Sequence, residues 1–333
     1  MTLINREFAA GLIGCGGRGQ LYCDLSRRVK GMRIVAYADI NEDRASSCLQ
    51  KYGGAYAARD PGRVLTDPSL DAVLICTWHD THTPYALAAA RNKKHIFVEK
   101  PLALTAEECR QIKEAVEKAS VKLMVAFKMR FMPVARAVRE LIPEPLFLVG
   151  QMVDSRWGDE NWAQKPLTGG GNVISQGCHT ADLLCFLAGS RPRSVAAQAA
   201  PLTHPGSEVI DTTSASILFE SGAIASLVQS DCGLNPFVSK FFFEVWGQEK
   251  GACLFRRCHE AVLWGVGPER LSAEEMSDEA REDAEGDLGL LRAFADSLLQ
   301  DSKPVPGPDE GLAATAIIEA AFQSARTGKT VYL

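Results

Sequence analysis

At 333 residues the chain exceeds what one ordinary core accommodates, so two domains are expected. Its composition, 46% hydrophobic and 23% charged, is that of a globular protein. A formal net charge of -5 with no basic block argues against a nucleic-acid surface, and no apolar run is long enough to span a bilayer. Residues 1–7 do not read as a signal peptide. The ten cysteines include no Cys-x-x-Cys pair. Their nearest cluster, Cys253, Cys258 and His259, matches no common zinc spacing, so no metal site is expected. Free thiols at this density fit a reducing cytoplasm.

In chain order, residues 8–13, 33–38, 72–76, 95–98 and 122–126 are short apolar runs suited to buried parallel strands. Helical stretches over 17–29, 41–51, 82–92 and 105–119 separate them. This alternation predicts an α/β domain with a doubly wound parallel sheet over 1–128. The pattern then changes. A helix over 134–141, a strand over 147–153, a glycine-rich loop at 168–171 and a helix over 175–188 come first. β-rich runs follow at 194–200, 212–220, 223–230, 241–246 and 261–264, and helices over 286–300 and 308–327 close the chain. Residues 129–333 therefore read as an α+β domain with a large open, mostly antiparallel sheet.

Gly14-Cys15-Gly16-Gly17-Arg18-Gly19 sits where a strand gives way to a helix, the context that a dinucleotide fingerprint requires. Gly14 permits the tight turn, Gly16 lets backbone approach a pyrophosphate, and Gly19 lets helix and strand pack closely. The helix N-terminus offers N–H groups and partial positive charge to the phosphates. Asp39, at the end of the second strand, suits the adenosine ribose hydroxyls and repels a 2′-phosphate, favouring NAD. Arg44 leaves NADP possible. The plainer role for Asp39 is a cap before Asn41. Lys100, in Glu99-Lys100-Pro101 directly after the run at 95–98, points to proton handling beside the cofactor, and so to hydride chemistry on a hydroxyl or carbonyl.

Four separated motifs carry a family resemblance. They are the glycine turn with Asp39; Cys76-Thr77 through His82; Glu99-Lys100-Pro101; and Gly169-Gly170-Gly171 through His179 and Asp182. With residues 127–133 and 321–333, these resemble the glucose–fructose oxidoreductase, inositol dehydrogenase and rhizopine-catabolism (Gfo/Idh/MocA) oxidoreductases over the whole chain. The resemblance implies a Rossmann domain and a C-terminal open-sheet domain, with the substrate between them over the nicotinamide. It implies a sugar, sugar derivative or cyclitol as substrate, and dimers or tetramers formed through the sheet. Lys100 would then hydrogen-bond the reacting oxygen and His179 would exchange its proton. Chemistry agrees. A histidine titrates near neutrality, and a cationic lysine stabilises a developing alkoxide.

The chain departs from that pattern twice. Ser175 stands where many polyol-oxidising members carry aspartate, followed by Gln176-Gly177-Cys178-His179. Asp182, one helical turn from His179, is then a candidate to orient the imidazole. Trp78 stands where proline is common after threonine, and either lines the nicotinamide pocket or packs in the core. The cofactor edge is thus expected to use Gly14, Gly16, Gly17, Arg18, Gly19, Asp39, Thr77, Trp78, His82, Glu99 and Lys100. On the substrate side, Lys128 is expected to offer a cation, with Arg130, Arg156, Trp157 and Trp162 as further candidates. Trp157 would stack on a sugar ring. The competing functions are an NAD-dependent glycosidase using transient oxidation and elimination, and a non-catalytic NAD-binding sensor.

Overall fold

The computed structural model describes residues 7–237 and 239–333, so nearly all of the leading segment read above lies outside them. It forms two compact units. The first comprises Met1–Ala103, Glu107–Ala126 and Asp287–Leu312; the second comprises Leu104–Ala106, Phe127–Gly286 and Ala313–Leu333. The sequence pattern puts all of 287–333 in the second domain, whereas Asp287–Leu312 clusters with the first.

In the first unit, β1 (Phe8–Ile13), β2 (Met32–Ala38), β3 (Tyr56–Ala58), β4 (Ala72–Ile75), β5 (His95–Val98) and β6 (Leu123–Val125) form one sheet. Its order is β3-β2-β1-β4-β5-β6, and every pair is parallel. α1 (Gly17–Ser26), α2 (Glu42–Tyr52), α3 (Pro61–Thr66), α4 (His82–Arg91) and α5 (Ala106–Ala119) supply the crossovers. β4 is buried along its whole length, as a strand covered on both faces must be. α2 starts where Asn41 accepts a hydrogen bond from the Asp43 N–H, with Glu42 and Asp43 in its positive first turn. The sequence pattern does not show β3 or α3. β3 has only three residues, too few to show a period, and α3 has six. The order of strands reverses at β1 and β4, a topological switch point. Residues just past the strand ends, Gly14, Asp39, Thr77 and Lys100, therefore share one edge of this sheet.

The second unit opens with α6 (Pro133–Leu141), β7 (Phe147–Val153), α7 (Gly171–Ser175) and α8 (Gly177–Ala188). Then come β8 (Pro192–Ala200), β9 (Thr212–Phe219), β10 (Ile224–Ser230), β11 (Phe241–Gly247), β12 (Lys250–Phe255), β13 (Glu260–Trp264) and β14 (Arg270–Ser272). α9 (Ala273–Met276) and α10 (Asp278–Glu282) lead to α11 (Asp287–Leu299), which belongs to the first unit. α12 (Pro308–Thr327) and β15 (Val331–Tyr332) end the chain. The nine strands run β14-β13-β12-β11-β7-β10-β9-β8-β15, antiparallel except for the β7–β10 pair. α8 lies close on β7: a Cβ on Gly150 would stand 2.9 Å from Leu184. The helix expected over 175–188 is two helices, because the backbone breaks at Gln176 (φ -111°, ψ -36°). β12, β14 and β15 are also absent from the sequence pattern; the last two have three and two residues and exist only by pairing with neighbours.

Candidate active site

The fingerprint glycines of the first unit serve distinct purposes. Gly14 has φ +94°, and a Cβ there would stand 2.3 Å from the Cys76 carbonyl oxygen. A Cβ on Gly19 would stand 2.1 Å from the Gly14 carbonyl oxygen, so α1 rests directly on the turn. Gly16 and Gly17 instead face open space, where an added Cβ would meet nothing within 4 Å. α1 begins at Gly17 with no side-chain cap and no acidic residue in its first turn. Its N–H groups and positive end are thus offered to an anion. Asp39 is buried; its Oδ2 accepts from the Cys15 N–H (2.8 Å) and its Oδ1 from the Asn41 N–H (2.8 Å). It does cap the approach to α2, and its two oxygens retain acceptor capacity for hydroxyl groups. Arg44 is exposed. These features fit a dinucleotide.

Arg18, expected at the cofactor edge, has protein partners of its own. Its guanidinium is committed to Glu99 Oε1 (2.7 Å) and Asp287 Oδ1 (2.7 Å) and also meets the Tyr22 hydroxyl. Glu99 is buried, which alone would raise its pKa, but Arg18 and Lys100 hold it below the usual carboxylate range. It accepts from the Tyr22 hydroxyl (2.8 Å) and the Lys100 N–H (3.2 Å), fixing the strand end that carries Lys100. The Lys100–Pro101 peptide is cis. His82 Nδ1 lies 2.7 Å from the Pro101 carbonyl oxygen and Nε2 lies 3.2 Å from that of Thr77. Burial pushes the His82 pKa down, against the two carbonyl contacts, which favour the charged ring. His82 thereby ties the loop after β4 to the turn after β5. Thr77 Oγ1 accepts from Thr81 (2.6 Å), and buried His79 tilts against His82 at 5.7 Å. Trp78 is 49% exposed, which excludes the core-packing reading.

In the second unit the triple-glycine loop is forced by packing: a Cβ on Gly169 would stand 2.1 Å from Ala163 Cα, and Gly170 and Gly171 have φ +74° and +88°. His179 is buried early in α8, its N–H donates to the Gln176 carbonyl (3.0 Å), and its ring meets Phe127 edge-on at 6.2 Å. Ser175 is buried at the end of α7, and Gln176 is half-buried beside it. Asp182, the candidate to orient His179, is also bound by Arg130. Its carboxylate is gripped by Arg130 through Nε (3.0 and 2.8 Å) and Nη2 (2.7 Å), a forked pair with both partners nearly sealed from solvent.

Lys128, expected to offer a cation to substrate, has its ammonium neutralised by Glu285 at 2.6 Å. Glu285 also meets His259 and Arg257, each at 3.3 Å. His259, then Lys128 and Arg257, hold it well below the usual carboxylate range against burial. Arg156 is exposed and pairs with Asp159 (2.9 Å). Trp157 is held at both ends, Nε1 donating to Asp154 Oδ2 (3.1 Å) and its backbone N–H to Asp231 Oδ2 (3.1 Å). Trp162 is half-buried in the 3₁₀ turn Trp162–Gln164. One polar line is not legible in the sequence. Gln229 Nε2 donates to Asn172 Oδ1 (2.6 Å), and Thr180 Oγ1 donates to Gln229 Oε1 (3.3 Å), all buried. Its only sequence signal is a lone glutamine in the apolar run of β10. Among the described residues, no group of three or more His, Cys, Asp or Glu is placed to hold a metal ion, and no helix is long and apolar enough to cross a membrane.

Comparison with known proteins adds to this geometry. A family model described as an oxidoreductase family with an NAD-binding Rossmann fold matches residues 8–127, and a GFO/IDH/MocA C-terminal domain matches 141–252. The chain is 30% identical over 275 residues to scyllo-inositol 2-dehydrogenase (NAD(+)) of Bacillus subtilis, covering 79% of each chain. It is 27% identical over 340 residues to the uncharacterized oxidoreductase YrbE of the same organism, covering 98% of this chain and 97% of that one. A solved levoglucosan dehydrogenase, in complex with NADH and levoglucosan, superposes with a TM-score of 0.86 at 21% identity over 98% and 99% of the two chains; at that identity the likeness concerns the fold alone.

Proposed function

We propose that this chain, which belongs to the GFO/IDH/MocA family of NAD-binding oxidoreductases, transfers hydride between NAD and a hydroxyl or carbonyl carbon of a cyclitol, sugar or sugar derivative. The observation that carries the reading is the edge of the first sheet. It combines an unoccluded glycine turn at a helix N-terminus, a ribose-type carboxylate at Asp39 and a lysine on a strand end braced by Glu99 and His82. NAD, when bound, supplies the hydride acceptor. Gly16, Gly17 and the Arg18 backbone N–H take the phosphates, and Asp39 takes the ribose. Thr77 and exposed Trp78 flank the nicotinamide. Lys100 donates to the reacting oxygen and stabilises its negative charge. His179 removes the hydroxyl proton, or returns it in reduction. Ser175, Gln176, Arg156 and Trp157 contact substrate. No observation favours the glycosidase or sensor readings.

The test is appearance of reduced nicotinamide with NAD+ or NADP+ across inositols, aldoses, amino sugars and uronic acids. Turnover with NAD+ that falls about 10²–10⁴-fold in Lys100→Ala is expected. Tight NAD binding with silence across the panel would sink the reading. The second sheet is proposed to join copies into a dimer or tetramer. Ile224, Phe147, Trp246 and Trp264 are exposed apolar residues on strands β10, β7, β11 and β13, in register along one end of the sheet. Such a row calls for cover. Sedimentation of wild type against Trp264→Glu tests it.

A further inference from the structure

We infer that Asp231, His204 and Asp159 form a clasp that fixes residues 154–171, making His204 a positioning residue for the Trp157 loop and for the glycine loop that precedes His179. Three separate chain segments meet here. His204 lies between β8 and β9, Asp231 just after β10, and Asp159 between β7 and α7. His204 Nδ1 stands 2.9 Å from Asp159 Oδ1, and Nε2 stands 2.8 Å from Asp231 Oδ2. Only an imidazolium has two N–H donors, so this geometry calls for the charged ring. Its backbone is equally fixed: buried Asp211 accepts from the N–H groups of Leu202 (3.0 Å), Thr203 (3.0 Å) and His204 (2.9 Å).

The clasp reaches the site through bonded neighbours. Asp231 Oδ2 also accepts from the Trp157 N–H (3.1 Å) and from Gln164 Nε2 (3.2 Å). Gln164 adjoins Ala163, the residue against which Gly169 packs with no room for a Cβ. Gly169 begins the loop into α7. Asp231 Oδ1 and Gln164 Oε1 are buried without a hydrogen-bond partner among the described residues. Gln164 Nε2 also lies 2.9 Å from His204 Nε2. When the ring loses its Nε2 proton, that nitrogen accepts from Gln164 and repels Asp231. The two protonation states therefore have different partners.

The charged groups facing the ring are Asp159, Asp231 and, with opposite sign, Arg156. Burial opposes its protonation, but the two aspartates outweigh burial and raise the His204 pKa above the ordinary histidine value. The clasp is therefore fully formed below about pH 6.5 and released as pH rises through the raised value.

The test is limited trypsin digestion of the full chain with NAD+ between pH 6 and 9, reading the cut after Arg156 against a disordered reference peptide in the same tube. In the wild type, relative cutting should rise about tenfold as pH passes through the His204 value, followed independently by its C2–H resonance. His204→Gln should be cut fast at every pH. Asp159→Asn, a change at an exposed carboxylate, should fold normally and move the rise to lower pH. Identical profiles in wild type and Asp159→Asn would overturn the clasp. The link to substrate rests on the proposed function: once a substrate is known, Asp159→Asn should raise KM several-fold at pH 6 with kcat unchanged. Digestion still judges the clasp if no substrate is found.

Discussion

The glycine-turn edge of the first unit and the region around His179 in the second are built from different materials. At the first, backbone does most of the work: a turn that only glycine can make, a helix end without a cap, and strand ends in a parallel sheet. At the second, buried side chains hold one another. Arg130 grips Asp182 from 52 residues away, and His204 meets Asp231 from 27 residues away. A backbone site tolerates changes of side chain but not of shape. A side-chain site tolerates neither loss nor isosteric neutralisation of one partner.

The largest effect should therefore come from the second region. Asp182→Asn leaves the Arg130 charge nearly buried and uncompensated, which costs about 3–5 kcal/mol. Urea denaturation should show that loss at pH 7. The double variant Arg130→Met with Asp182→Leu should recover much of it, since no charge then remains to desolvate. If Asp182→Asn instead kept full stability and lost only turnover, the carboxylate would belong to catalysis rather than to the fold.

Next in size is a pair of glycines. Gly14→Ala demands φ +94° of a residue with a Cβ and drives that atom against the Cys76 carbonyl, a cost of about 3 kcal/mol. Gly16→Ala meets nothing within 4 Å and should change stability by less than about 0.5 kcal/mol. Its effect should appear in NAD affinity, measured by fluorescence titration, because the methyl group occupies space proposed for the pyrophosphate. Equal NAD affinity in Gly16→Ala and wild type would contradict that placement.

The same contrast explains what is legible in the sequence. The Rossmann sheet can be read because buried parallel strands are continuous apolar runs and its turn is a local motif; β1 and β5 match their expected spans residue for residue. β3, β14 and β15 cannot, because strands of two or three residues carry no periodicity and are defined by partners far away in the chain. Motif and chemistry point to Lys100 and His179. They do not show that Arg18, Lys128 and Asp182 already have strong partners in Glu99, Glu285 and Arg130. A charged residue in a motif carries no mark of where its counter-ion comes from. The break at Gln176 is hidden for a related reason. Gly177-Cys178-His179 continues an apolar pattern, and the interruption is a change of backbone angles at Gln176 that no residue type marks.

Lys128 offers the subtlest way to sharpen the comparison, because its place in the sequence suggests a substrate contact and the structure pairs it with Glu285. The folded Glu285 pKa is depressed by His259, Lys128 and Arg257. A depressed carboxylate stabilises the fold above its unfolded value, near ~4.3, and that contribution is lost as pH falls through the lower folded value. Glu285→Gln should therefore lower Tm slightly at pH 7, by about 2 °C once solvent screening of this partly exposed group is allowed for. The gap between variant and wild type should narrow on acidification below about pH 4. Lys128→Met removes one of three partners of Glu285 and should have a smaller effect on Tm. If Lys128→Met kept Tm but weakened binding of uronic acids while sparing neutral cyclitols, the ammonium would have a second partner in the substrate, exchanged for Glu285 on binding. Unchanged discrimination between acidic and neutral sugars would leave Lys128 a structural cation, with Glu285 as its permanent counter-ion.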